Sequence, residues 1–175
     1  TCYMSLSDML NDFDDDWAIS VALSGRYPDS GLCLFVNAVI SNVTFALNQI
    51  APSLNWFLVI EYLLSFISFS VMIYAAITFM NPILGLGLVA GCEYFLLPNC
   101  VIYSNFTFVA AFCTIAGFTL LLSMLKRGGY SRSGAVLGVF LCACGFAFRA
   151  NAFLLCVPFF GVALLLILIE GLKTR

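Results

Sequence analysis

From residue 31 onward the chain is built of long apolar runs, separated by short polar or Pro/Gly-containing breaks. Five runs read as bilayer crossings: 56–79, 83–97, 102–125, 134–148 and 152–170. A spanning helix takes roughly 20 residues. The second and fourth runs are therefore short for a perpendicular crossing, and imply extension into flanking residues or shielding by neighbouring helices. Residues 31–50 place apolar side chains at helical spacing but interrupt them with Asn37, Asn42, Asn48 and Gln49. That mixture predicts a helix lying along the membrane interface, ended by Ala51-Pro52-Ser53. Gly87/Gly91 and Gly134/Gly138 have the spacing that lets helices approach closely. The pattern predicts an all-α fold in two parts, a first loop with its interfacial helix (1–55) and a transmembrane bundle (56–175).

Composition agrees with this reading. The 175 residues are 63% hydrophobic and 9% charged, with mean hydropathy +1.08; a soluble domain carries about a quarter charged residues. A net charge of −2 without a basic patch excludes a nucleic-acid module. The chain opens on Thr1 and closes on Lys173 and Arg175 just after an apolar run, which reads as a piece of a larger protein. Its eight cysteines form no CxxC pair and there is no histidine, so they read as small packing residues rather than a zinc site.

Charge then predicts an orientation. Lys126, Arg127 and Arg132 fill the loop between the third and fourth crossings, and Lys173 and Arg175 follow the fifth. Loops two crossings apart share a side, and basic loops lie in the cytoplasm. Residues 1–55 then lie outside a multi-pass plasma-membrane protein, with six of the nine acidic residues.

The charges that break the pattern are the candidate chemistry. Arg26 and Arg149 remain on the outer side, where an arginine is either a solvated or snorkelling charge or a fork for phosphate. Glu61 and Glu93 lie within apolar runs near the same side, and either line a polar cavity or rest among headgroups. Asp14, Asp15 and Asp16 precede the apolar run Trp17–Leu23. They can cap a helix N-terminus, ligate a divalent cation or act as a general base.

These segments resemble the GT-C superfamily, the multi-spanning glycosyltransferases that take sugars from polyprenyl-linked donors. An acidic pair in the first outer loop is the hallmark of that group. Asp15-Asp16-Trp17-Ala18-Ile19 and Ser24-Gly25-Arg26-Tyr27 are similar to the start of a set of bacterial GT-C-like membrane proteins. There they lead into an Asn-containing interfacial helix (Asn37), then Pro52, Asn55-Trp56 and a span. Ser104-Asn105-Phe106-Thr107 resembles the segment opening a later outer-facing helix, with Asn105 where that group has Gln. Phe148-Arg149-Ala150-Asn151 resembles its Arg-containing outer turn.

The resemblance implies a transferase of cell-envelope glycan or glycolipid assembly, with a polyprenyl-phosphate-linked sugar as donor and a glycan or lipid as acceptor. Asp15 and Asp16 would be catalytic. Arg149, Arg26, Tyr27, Glu61, Glu93 and Asn105 would contact substrate. Such enzymes differ in their need for Mg or Mn, which Asp14, Asp15 and Asp16 would hold. A transporter of lipid-linked saccharides and a non-catalytic scaffold are the alternatives.

Overall fold

The computed structural model describes residues 36–79, 82–95, 105–127 and 131–173. Among the described residues every regular element is a helix: α1 (Ala38–Ile50), α2 (Trp56–Phe79), α3 (Pro82–Phe95), α4 (Phe106–Arg127), α5 (Arg132–Phe148) and α6 (Ala150–Lys173). The fold is an all-α bundle. The predicted crossings correspond to α2 through α6, with ends shifted by up to four residues.

Length divides these helices. α2 and α6 have 24 residues and α4 has 22; at 1.5 Å per residue they run ~33–36 Å, enough for a ~30 Å hydrocarbon core. These three are long and apolar enough to cross a membrane. α3, at 14 residues, and α5, at 17, fall short of that thickness. All five helices are apolar on every side rather than along one stripe, as buried or lipid-facing helices are.

α4 is the hub, packed against α2, α5 and α6. Phe112, Cys113, Ala116 and Leu120 put its inner faces in the core with Leu64 and Met72 of α2 and Leu141 of α5. About half of α4's apolar stretch is buried, against 6% of α6's. α6 touches the bundle through ring contacts of Phe118 with Phe153 and Phe160 at 5.8 and 4.8 Å, and turns Leu155, Phe159 and Leu165 outward. Such apolar exposure is tolerable in lipid and a liability in water.

Glycines set the tightest contact. A Cβ on Gly117 would lie 2.6 Å from the Gly138 carbonyl oxygen and 2.7 Å from Cys142 Sγ, and one on Gly138 would lie 2.8 Å from Leu121. The α4–α5 backbones therefore nearly touch. The spacing of Gly134 and Gly138 is used as expected, since both face α4 side chains. That of Gly87 and Gly91 is not: both face open space among the described residues.

The two ends of the bundle differ. At one end the start of α2, the start of α4 and the α5–α6 corner converge, with the Phe57 and Phe148 rings 5.8 Å apart. At the other, Lys126 of α4 lies 3.9 Å from Glu170 of α6, both side chains about two-thirds exposed. α1 belongs to the first end: the Asn37 N–H donates to the Ala147 carbonyl at 3.2 Å, and the Asn37 side chain caps α1 by accepting from Val39 N–H at 3.0 Å. Three of its four buried residues are Ser41, Thr44 and Asn48, while Val39, Val43 and Ile50 face outward. The Trp56 indole N–H donates to the Ala51 carbonyl at 3.0 Å and fastens the turn into α2.

Candidate functional site

Arg149 is a single extended residue between two helices, with φ −154° and ψ 101°. Its N–H donates to the Gly145 carbonyl and its carbonyl accepts from Phe153 N–H, both at 3.1 Å. The backbone is thus held from both sides, and the side chain leaves a fixed corner. Its Nη1 donates to Thr107 Oγ1, and Cζ sits 5.1 Å from the centre of the Phe106 ring, a cation–π distance.

Thr107 is itself anchored. Its N–H donates to Asn105 Oδ1 at 2.9 Å, and Phe108 and Val109 N–H donate to the Asn105 carbonyl, so Asn105 is the N-cap of α4. The structure therefore joins two segments that lie far apart in sequence, 105–107 and 148–149. Asn105 and Arg149 meet through Thr107, a residue with no charge or spacing to single it out in the sequence.

A cavity of about 300 Å³ opens beside this corner, lined by Asn37, Arg149, Asn151 and the residues around them. Among the described residues no carboxylate ion-pairs with Arg149; the one ion pair is Lys126–Glu170. A guanidinium carries five N–H donors, and Thr107 accepts from one of them. A half-buried cation with spare donors beside a cavity is suited to binding an anion in a two-pronged grip.

Glu61 lies one turn inward from Phe57, ~6 Å along α2, and is 1% exposed. The carboxyl is buried within the protein, and neither cavity described in this structure is lined by it. Ser41, Thr44 and Ser65 are also buried at or near this end, and their hydroxyls have no hydrogen-bond partner among the described residues. A buried polar group without a partner is costly, so this end of the interior is more polar than its helices need for packing. The signal in the sequence was polar residues at helical spacing, Ser41, Thr44 and Asn48 and then Glu61, Ser65 and Ser68, in an otherwise apolar background. Deeper in, the hydroxyls are engaged: Ser68 Oγ donates to Cys113 Sγ at 3.4 Å, and Thr114 Oγ1 to the Ala110 carbonyl at 2.7 Å.

Glu93 falls on α3, two residues before its described end. Asp14, Asp15, Asp16, Arg26 and Tyr27 lie outside the described residues. Among the described residues no group of three or more His, Cys, Asp or Glu side chains could hold a metal ion. No family model matches the chain, and no match to it was found among curated proteins or solved structures.

Proposed function

We propose that the protein transfers a sugar from a polyprenyl-phosphate donor to an envelope glycan or lipid acceptor, at the Arg149 end of the bundle and on the outer face of the plasma membrane. The observation that carries the reading is Arg149: a cation fixed by its backbone, by Thr107 and by Phe106, without a carboxylate partner among the described residues, beside a cavity. The motif resemblance to GT-C transferases supplies the donor class.

In this mechanism the donor's lipid tail lies among the helices and its phosphate meets Arg149. As the bond from the anomeric carbon to the phosphate oxygen breaks, negative charge grows on the leaving phosphate and the guanidinium stabilises it. The acceptor hydroxyl attacks the anomeric carbon from the opposite face, with inversion, and gives its proton to Asp15 or Asp16. Thr107 and Phe106 act only by holding Arg149. A transporter of lipid-linked saccharides, the alternative, needs polar groups through the depth of the bundle. The deeper hydroxyls of Ser68 and Thr114 are engaged with Cys113 and Ala110, which favours a one-ended site.

The test is Asp15→Asn and Asp16→Asn, singly and together, in the full-length protein in its native membrane. Envelope glycans and polyprenyl-linked sugars are then profiled by mass spectrometry. Loss of one decoration with its lipid-linked donor accumulating, at unchanged protein level, supports transfer at these carboxylates. An unchanged profile returns them to the role of helix cap.

A further inference from the structure

A second cavity, about twice the volume of the one beside Arg149, lies toward the other end of the bundle. It is a groove of about 620 Å³ between α2, α4 and α5, in the half of the bundle that carries Lys126. Its walls are apolar, from Ile67 and Val71 of α2, Leu120 and Met124 of α4 and Leu137 of α5. Ser70, partway along, donates its hydroxyl to the Phe66 carbonyl at 2.8 Å, and the other lining hydroxyls, Tyr74 and Thr78 late in α2 and Ser131 and Ser133 at the start of α5, belong to one end. Along α2 the lining runs from Phe66 to Thr78, ~18 Å at 1.5 Å per residue. One leaflet of a ~30 Å hydrocarbon core is ~15 Å deep. The groove thus has the length of one leaflet, with an apolar interior and a polar mouth.

Charge at the mouth selects the occupant. Arg132, exposed between the two groove-lining serines, has no carboxylate partner among the described residues. Lys126 and its ion-pair partner Glu170 share this end and offset one another, and the sequence adds Arg127, Lys173 and Arg175 to the flanking segments. A zwitterionic headgroup gains little from such a mouth, whereas an anionic one is attracted to it. We propose that the groove holds one acyl chain of an anionic phospholipid, with the headgroup phosphate at Arg132 and the hydroxyls of Ser131 and Ser133. The site is separate from the transferase reading and does not depend on it.

The test uses the full-length protein in phosphatidylcholine nanodiscs containing a minor fraction of phosphatidylglycerol with a photoactivatable acyl chain. Cross-links are mapped by mass spectrometry. Labelling is expected to concentrate on peptides containing Tyr74, Met124 and Leu137, and unlabelled phosphatidylglycerol should displace the probe better than phosphatidylcholine. Arg132→Gln, a surface change that leaves the fold intact, should reduce that preference about fivefold, as one basic residue near an anionic surface contributes. Ser70→Trp should fill the groove and suppress labelling. Labelling spread evenly over the helices, equal displacement by both lipids, displacement by soluble glycerol phosphate, or no labelling at all would each overturn the proposal.

Discussion

Arg149 and Thr107 stand 42 positions apart in sequence and share a hydrogen bond. One turns the chain from α5 into α6; the other opens α4. Their contact ties three helix ends together and leaves a cation in place at a helical corner. In the transferase reading that cation serves the leaving phosphate, and the pair can be separated by mutation.

Thr107→Val keeps the shape of the side chain and removes the acceptor. A hydrogen bond to a charged group is worth about 1.5–3 kcal/mol, so kcat/KM for the lipid-linked donor should fall about tenfold or more, with binding of the acceptor unchanged. Arg149→Gln should cost about 100- to 1,000-fold, the loss seen when a donor to a developing oxyanion is removed. Steady-state assays with purified protein and a polyprenyl-phosphate sugar distinguish the two. Equal rates in all three proteins would remove Arg149 from the chemistry.

The α4–α5 seam makes a packing prediction. Gly117→Ala forces a methyl into the space held by the Gly138 carbonyl and Cys142 Sγ, and overpacking of that kind costs about 1–3 kcal/mol. Gly87→Ala meets no neighbour among the described residues and removes a mid-helix glycine, so it should be neutral or gain about 0.5–1 kcal/mol. Thermal melting in detergent should show Gly117→Ala well below the parent and Gly87→Ala at or above it.

For Glu61, volume and charge can be tested apart. Glu61→Gln keeps nearly the same shape and should melt close to the parent. Glu61→Ala empties space around a side chain that is 1% exposed and should cost on the order of 2 kcal/mol or more. If Gln also abolishes transfer while melting normally, the carboxyl belongs to the chemistry; if it transfers normally, the carboxyl belongs to the packing.

Orientation has its own check. In a background lacking the native cysteines, Asn151→Cys should react with a membrane-impermeant maleimide from outside intact cells. Ser133→Cys should react only after permeabilisation. The reverse pattern would invert the topology and move the proposed transfer site to the cytoplasmic face.

The helices were legible because their apolar runs are long and end at breaks that act locally: Asn37 as a cap, Pro52 in a turn, Ser131 as a cap. Which side of a helix faces what was not. Glu61 sits near one end of α2 by count, but count along an axis does not say whether a side chain points to lipid or to α4. The same limit applies to Gly87 and Gly91, whose spacing suits close packing although no described helix approaches them. Gly117 and Gly145, which do lie in a close contact, belong to neither of the spaced pairs. At the site, Arg149 was conspicuous as a charge in an apolar run, whereas Thr107 became visible only once α4 and α5 were placed side by side. The aspartates that carry the proposed catalysis lie outside the described residues.

The sidedness of α1 has a mechanical consequence. Its inner stripe is largely hydroxyl and amide, and its outer stripe includes Val39, Val43 and Ile50. A single inserted residue after Asn37 would roll everything beyond it by about 100°, moving Ser41 to the exposed position of Asn42 and Val39 and Val43 to the buried positions of Ile40 and Thr44. The phase of α1 therefore decides whether hydroxyls and an amide, or valines, face this end of the interior. At its far end that phase is fixed by the Trp56 indole, which donates to the Ala51 carbonyl and ties the end of α1 to the start of α2.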